Sequence, residues 1–421
     1  MTKLRRNLKL EESSKHQRKE EDKMEKRACI AIDVSKGKSH YQGWINENQK
    51  CGNPKCINHD KDGFAEISSK VKEVEKITGQ KPVIVFESTG VYHRGLKMFL
   101  KENNLDFIII SPLASAKVRK SNIRSTKTDQ KDCKNIAKVY FLKDFAIYNE
   151  QDEIYENLLE MNRYYNYLTE QLKKIKIQFK LLLDVVFPKF DCLYEHPYLE
   201  IPMMILSKYT HPNQIKNKHP ESIAKWLEKN TCHHYNYCLK EAKMIIEYCN
   251  ECQPGCEESN IDCKLLNDVV IQIKNKLIEQ DYYEEKLIDL AKELPNYQLL
   301  LTIPGIANNL ASRIIAELGE LNRFSNARQV VAYAGIDPNI YQSGENTGMH
   351  LRITKKGNKN LRCLLYLAIG NTIKGKNKLS EYYYKKIATG MLPKVAKVAC
   401  MNKLLRIIYS MCKTGSLFEE Q

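Results

Sequence analysis

The chain has 421 residues, 43% of them hydrophobic, and carries 67 Lys and Arg against 51 Asp and Glu, a formal net charge of +16. That length allows two or three domains, and the apolar share excludes a chain without cores. The cationic surplus selects polyanions, above all nucleic acid, as partners; with no apolar run of about 18 residues, a membrane partner is excluded and a cytosolic protein expected. Fourteen cysteines scattered without a secretory segment point to a reducing compartment and free thiols.

Residues 1–27 are almost all polar, with charges of both signs, and read as a basic disordered tail. From 28 to 148, strand and helix signals alternate. The runs ACIAIDVS, KPVIVFES and LDFIIISP predict strands, SHYQGWINENQKC a hairpin, and TGVYHRGLKMFLKENN a helix. This pattern describes a mixed α/β domain with a largely parallel sheet. Asp33 and Glu87 end two of the strands, where ligands of parallel sheets gather. In STKTDQKDC, Asp129 and Asp132 stand three apart and share one face if the segment is helical. Each acid alone is commonly a cap or a solvated side chain. Four together would repel one another unless cations neutralised them, and an all-oxygen donor set suits Mg²⁺ or Mn²⁺. Strand Asp, strand Glu and helical D-x-x-D in that order match a ribonuclease-H-like fold. The related actin-like ATPases stay open, although only one Gly follows each strand.

Residues 152–188 and 264–294 have apolar positions at three- and four-residue intervals and predict long helices forming a coiled-coil arm suited to dimerisation. Between them, 189–263 reads as an irregular insert rich in Cys, His and Tyr. Its Cys249, Cys252, Cys256 and Cys263 have a spacing that would suit a structural Zn²⁺. CGNPKCINH, residues 51–59, is a weaker zinc candidate with Cys51, Cys56 and His59.

The remainder, 295–415, is helical and basic. In LLLTIPGIANNLASRIIAELG, Gly305 can take a tight turn ahead of a helix start, whose N–H groups suit a phosphate. Further on, Ser343 lies beside Gly344 and ahead of RITKKGNKNLR. Its hydroxyl could attack a phosphate, with Arg352, Lys355, Lys356 and Arg362 stabilising the charge.

The segments AIDVSK, FESTGVY, STKTDQKDCKNIAK, LLTIPGIANNLASRIIAELG, RFSNARQVVAYAGIDPNIYQSG and RITKKGNKNLR occur in one order. Together they resemble the DEDD transposases of bacterial insertion sequences, understood as recombinases guided by a structured bridge RNA. The resemblance implies a RuvC-like N-terminal domain, a coiled-coil connector and a mostly α-helical C-terminal transposase domain. It implies metal-binding acids at Asp33, Glu87, Asp129 and Asp132 and a nucleophile at Ser343 that forms a phosphoserine. The implied partners are DNA (element ends and target), a guide RNA, and further copies of the chain as dimer or tetramer, in the bacterial cytosol at the nucleoid. Two other readings stand beside it. One is a RuvC-like endonuclease cutting DNA with metal-activated water; the other is a catalytically silent nucleic-acid-binding protein.

Overall fold

A computed structural model of the chain describes residues 26–88, 90–110, 129–142, 147–148, 150–338, 342–343, 346–347 and 352–418. For 129–131, 150–152, 342–343 and 346–347 it describes the backbone alone. The chain divides into two compact units between Glu150 and Gln151.

The first unit holds strands β1 (Cys29–Val34), β2 (Lys38–Trp44), β3 (Lys50–Asn58), β4 (Val83–Glu87) and β5 (Phe107–Ile110). They form one sheet in the order β3-β2-β1-β4-β5. β1 pairs in parallel with β4, and β4 with β5; β1 with β2 and β2 with β3 are antiparallel. The sheet is therefore mixed, not largely parallel. Only Ser35–Gly37 separates β1 from β2, closed by the Ser35 N–H to Lys38 carbonyl bond of 3.1 Å, with Gly37 at φ +78°. A link that short can only reverse the strand, whereas parallel neighbours need a long crossover. Pro54 is tolerated because β3 is an edge strand.

Three helices cover the sheet: α1 (Lys61–Thr78), α2 (His93–Glu102) and α3 (Asp129–Leu142). α1 starts where the Asp60 side chain accepts from the Gly63 N–H, and ends at Gly79 in the left-handed conformation. Alternation sorts the strand residues into two layers. Ile30, Ile32, Ile84 and Phe86 pack with Ile67, Val71, Leu96 and Leu100 of α1 and α2. Cys29, Ala31, Val83 and Val85 pack with Cys133, Ile136, Ala137 and Val139 of α3.

Among the described residues, the regular elements of the second unit are helices apart from two paired two-residue strands. Its long helices are α4 (Glu150–Val186) and α10 (Ile261–Lys292). Between them lie α5 (Phe190–Leu193), α6 (Glu200–Lys208), α7 (Asn213–Lys216), α8 (Pro220–Asn230) and α9 (Tyr235–Glu251). α4 and α10 run antiparallel: the Tyr165 hydroxyl donates to Glu284 at 3.0 Å, and four residues on, Thr169 accepts from Gln280 at 2.9 Å. Tyr164 also meets Tyr283, ring centroids 4.6 Å apart. This stretch joins through phenols and polar side chains, where a coiled coil would set an apolar seam.

The segment read as an irregular insert is mostly helical. Ile205, Leu206, Leu227, Ala242, Ile245 and Cys249 form a core with Phe179 and Leu183 of α4 and Leu266, Val270 and Ile273 of α10. Apolar packing closes this part of the unit. The expected zinc set is not assembled. Cys249 is fully buried, and burial pushes its thiol up to about 12. The Cys252 thiol turns to the Tyr248 hydroxyl at 3.5 Å, while Cys256 and Cys263 stand 3.9 Å apart as a pair. The weaker candidate fails similarly: Cys51 is buried beside Lys70, Cys56 is exposed, and the His59 ring is 2.7 Å from the Ser39 hydroxyl. Among the described residues no group of three or more His, Cys, Asp and Glu is arranged to hold a metal ion.

The rest comprises α11 (Pro295–Leu301), α12 (Asn308–Leu318), α13 (Ala327–Ala334), β6 (Gln342–Ser343), β7 (Asn346–Thr347), α14 (Lys359–Thr372), α15 (Lys378–Ala388) and α16 (Pro393–Thr414). They share a core that includes Leu300, Ile314, Ile315, Val331, Leu365, Ile369, Leu404 and Ile408. Among the described residues no helix is long and apolar enough to cross a membrane. If apolar packing alone holds α6–α9, EDTA should leave the thermal melt unchanged and elemental analysis should find no stoichiometric zinc. A melting point lowered by chelator would return zinc to the insert.

Candidate nucleic-acid-processing site

The acids come first. Ile32 of β1 lies beside Phe86 of β4 in parallel register, so the next residues on the two strands are Asp33 and Glu87. Ile32 and Phe86 face the α1–α2 layer, which turns Asp33 and Glu87 to the opposite face, the one α3 covers. Both are half-buried.

α3 runs back along that face. Near its start, the buried Cys133 donates to the His40 carbonyl at 3.2 Å, and His40 is the antiparallel partner of Asp33. Toward its end, the Tyr140 hydroxyl donates to the Arg27 carbonyl at 3.2 Å, just before β1 begins. The first turn of α3, bearing Asp129 and Asp132, thus lies at the level of Asp33. Asp132 is half-buried and accepts from the Asn135 amide at 3.5 Å; the side chain of Asp129 lies outside the described residues. A helix N-terminus stabilises carboxylates in its first turn. Three carboxylates from three elements therefore share one end of one sheet face. All their donors are hard oxygens, the chemistry that Mg²⁺ or Mn²⁺ requires, although the described acids do not by themselves close around an ion. A cavity of about 160 Å³ lined by Trp44, Lys134 and Lys138 lies elsewhere, because Trp44 pairs with Cys29 at the other end of β1.

In the second unit, Ser343 ends β6, and its backbone pairs with Asn346 of β7. Its side chain, and Gly344, lie outside the described residues. The chain on either side of this hairpin is zipped into a stem. Pro338 bridges Ile353, the Thr354 N–H donates to the Asp337 carbonyl, Lys355 to Gly335, and Asn358 to Tyr333, at 2.9, 3.1 and 2.8 Å. Gly335 and Gly357 meet back to back: a Cβ on Gly357 would lie 2.6 Å from the Gly335 nitrogen. Arg352, Lys355 and Lys356 are exposed along this stem. Arg362 differs, since one guanidinium nitrogen is bonded to the Ala334 carbonyl at 2.9 Å and supports the stem.

Gly305 takes φ +85° between α11 and α12, where a Cβ would lie 2.6 Å from the Thr372 backbone nitrogen. Close helix packing alone requires glycine there. α12 then starts at Ala307 with no side-chain cap, which leaves the N–H groups of its first turn without a side-chain acceptor.

Sequence reasoning missed a buried polar network beneath the stem. Glu317, 2% exposed, accepts from the amides of Asn162 at 2.6 Å, Asn358 at 2.7 Å and Asn360 at 3.1 Å. Its carbonyl accepts from the Tyr333 hydroxyl at 3.1 Å. Arg313 lies beside it, donating to Asn162, Asn166 and Asn309 and stacked 4.6 Å over the Tyr165 ring. Burial lowers the Arg313 guanidinium from its ordinary value. Glu317 thereby ties α4 and the Asn358 cap of α14 to α12 through its carboxylate, and α13 through its carbonyl. The available signal was a Glu inside the apolar run ASRIIAEL.

The first unit is a mixed α/β domain with Asp33 and Glu87 on the sheet face that α3 covers. A family model described as transposase, for the DEDD group of IS110, matches residues 30–188, and one described as transposase of the IS116/IS110/IS902 family matches 297–385. The class is that of DNA transposases, and the chain belongs to the DEDD-type insertion-sequence transposases. It is 21% identical over 301 residues to the insertion element IS116 uncharacterized 44.8 kDa protein of Streptomyces clavuligerus, covering 69% of this chain and 72% of that one. It is 27% identical to the pilin gene-inverting protein of Moraxella lacunata, over 37% of this chain and 49% of the relative. With the transposase for insertion sequence element IS1111A of Coxiella burnetii it shares 30% identity, over 35% of this chain and 41% of the relative. The chain thus spans about half the length, or less, of the last two.

A buried carboxylate holding three amides is costly to remove, because each amide loses its acceptor. Glu317→Ala should lower stability by roughly 3 kcal/mol or more in urea unfolding. Exposed Glu381→Ala should change it by less than about 0.5 kcal/mol. Equal, small effects would remove Glu317 from the support of the stem.

Proposed function

We propose that this transposase cuts and rejoins DNA through a phosphoserine formed on Ser343, with a structured RNA choosing the sites and the acids Asp33, Glu87, Asp129 and Asp132 holding Mg²⁺ or Mn²⁺. The observation that carries the reading is the common face of Asp33, Glu87 and the first turn of α3. When bound there, a divalent ion acts as a Lewis acid on a phosphodiester oxygen. Asp33 and Glu87 follow the paired residues of β1 and β4, and the Cys133 bond to the His40 carbonyl at the level of Asp33 supports Asp132 as a further ligand.

The serine does the covalent work. Its Oγ forms a bond to phosphorus, the bond from phosphorus to the leaving sugar oxygen breaks, and that oxygen takes a proton as the serine loses one. Attack by another sugar hydroxyl on the phosphoserine reverses the sequence and rejoins the strand without external energy. The Moraxella relative is named for gene inversion, a rearrangement that needs DNA both cut and rejoined. The exposed Arg352, Lys355 and Lys356 beside the hairpin would neutralise phosphate charge as it develops. Arg362 would act through the stem, and Gly305 would let the first turn of α12 approach a phosphate.

The units we assign are a RuvC-like domain at 28–148, an arm at 152–188 and 264–294, a helical insert at 189–263, and a transposase domain at 295–415; the tail read at 1–27 lies, but for its last two residues, outside the described residues. The antiparallel contact of α4 with α10 supports the arm, whose exposed Ile278 and Tyr282 suit a second copy of the chain in a dimer or tetramer. The acids of one copy would then complete the serine site of another, in the bacterial cytosol.

On a denaturing gel of protein with element-end DNA, guide RNA and Mg²⁺, wild type should leave a covalent protein–DNA band. Ser343→Ala should lose the band entirely. Asp132→Asn should reduce it by roughly a hundredfold or more, the scale of a lost catalytic metal ligand. Cleaved DNA without a covalent band, equal in wild type and Ser343→Ala, would instead support a RuvC-like endonuclease.

A further inference from the structure

Between Lys374 and Lys413 the sequence has ten Lys and Arg and a single carboxylate, Glu381. All ten lie on or beside α14, α15 and α16, and among the described residues none enters an ion pair. Lys386, Lys397, Lys403 and Lys413 approach tyrosine rings instead. Lys403 of α16 and Lys386 of α15 both approach the Tyr382 ring, at 4.6 and 5.4 Å from its centroid. On the other flank of α16, Lys397 lies 5.2 Å over Tyr366 of α14.

α16 packs against both α14 and α15 through buried Ala396, Cys400, Leu404 and Ile408, so these cations are borne on a rigid three-helix layer. Two ammonium groups gathered on one ring repel each other, and the ring quadrupole offsets only part of that repulsion, about 0.5–1 kcal/mol at an exposed site. A surface with this charge and a single carboxylate, Glu381, is completed by an external polyanion.

We propose that the α14–α16 layer is a docking surface for the phosphate backbone of duplex DNA, with Lys386, Lys397 and Lys403 meeting the phosphates and Tyr366 and Tyr382 holding them in position. Charge complementarity selects a nucleic acid, and membership in a DNA transposase family selects DNA. This surface differs from the serine hairpin, the stem and the Gly305 turn, and does not depend on phosphoserine chemistry. Interactions of this kind fix register and orientation without reading bases.

The test is fluorescence anisotropy of full-length protein on random-sequence duplex DNA across a salt series. Lys386→Gln/Lys397→Gln/Lys403→Gln should bind about tenfold more weakly at 0.1 M salt, and the slope of log affinity against log salt should shrink by roughly 0.9 for each phosphate that the protein no longer neutralises. The matching triple Lys→Arg variant should keep both affinity and slope, which separates charge from folding. The readout is reversible binding and involves no phosphoserine, so a failure of the serine reading is told apart from a failure of this one. Unchanged affinity and slope in the Gln variant would overturn the proposal. So would weakened binding of structured RNA with duplex binding intact, which would make RNA the occupant.

Discussion

Two parallel strands in register carry their side chains to the same face at the same level, and β1 and β4 do this from Cys29–Val83 to Ile32–Phe86. Everything the N-terminal unit can do with its acids depends on that pairing. A slip of one residue in either strand would turn Asp33 or Glu87 toward the α1–α2 core. The buried Ile30, Ile32, Ile84 and Phe86 oppose such a slip, because it would take each of them out of the α1–α2 layer and force it into the face that α3 already fills. Full burial of one such side chain is worth about 1.5–3 kcal/mol. The hydrophobic core thereby sets the geometry of a charged site that it does not touch.

The second unit reaches a similar end by other means. Backbone pairing across the stem, glycine contact at Gly335 and Gly357, and the Glu317 network hold the chain that leads into and out of the serine hairpin. The network costs the burial of a carboxylate and a guanidinium, which is justified where a unique arrangement matters more than stability alone. Its reach into α4 through Asn162 joins the long helix to the serine-bearing segment.

Much of this was legible in the sequence, for identifiable reasons. Strands β1, β4 and β5 are short β-branched runs, and the acids at their ends stand out against apolar neighbours. The long helices α4 and α10 show the helical period without Gly or Pro. The helical insert was obscured because its Cys, His and Tyr have weak helix propensity, although Cys238, Ala242, Ile245 and Cys249 keep the period. The cysteine spacing pointed to zinc because spacing ignores direction: helix α9 turns Cys249 into the core and ends at Cys252. The antiparallel half of the sheet was hidden in a polar hairpin segment. Glu317 was invisible because a buried glutamate and a solvated one look alike in a helix.

Central to the proposed chemistry is one metal shared by the acids of β1, β4 and α3. Its most direct test is anomalous diffraction from crystals soaked in Mn²⁺. The expected result is a peak bounded by the carboxylates of Asp33, Glu87 and Asp132. Mn²⁺ bound elsewhere, with those carboxylates solvated or paired to lysines, would contradict it.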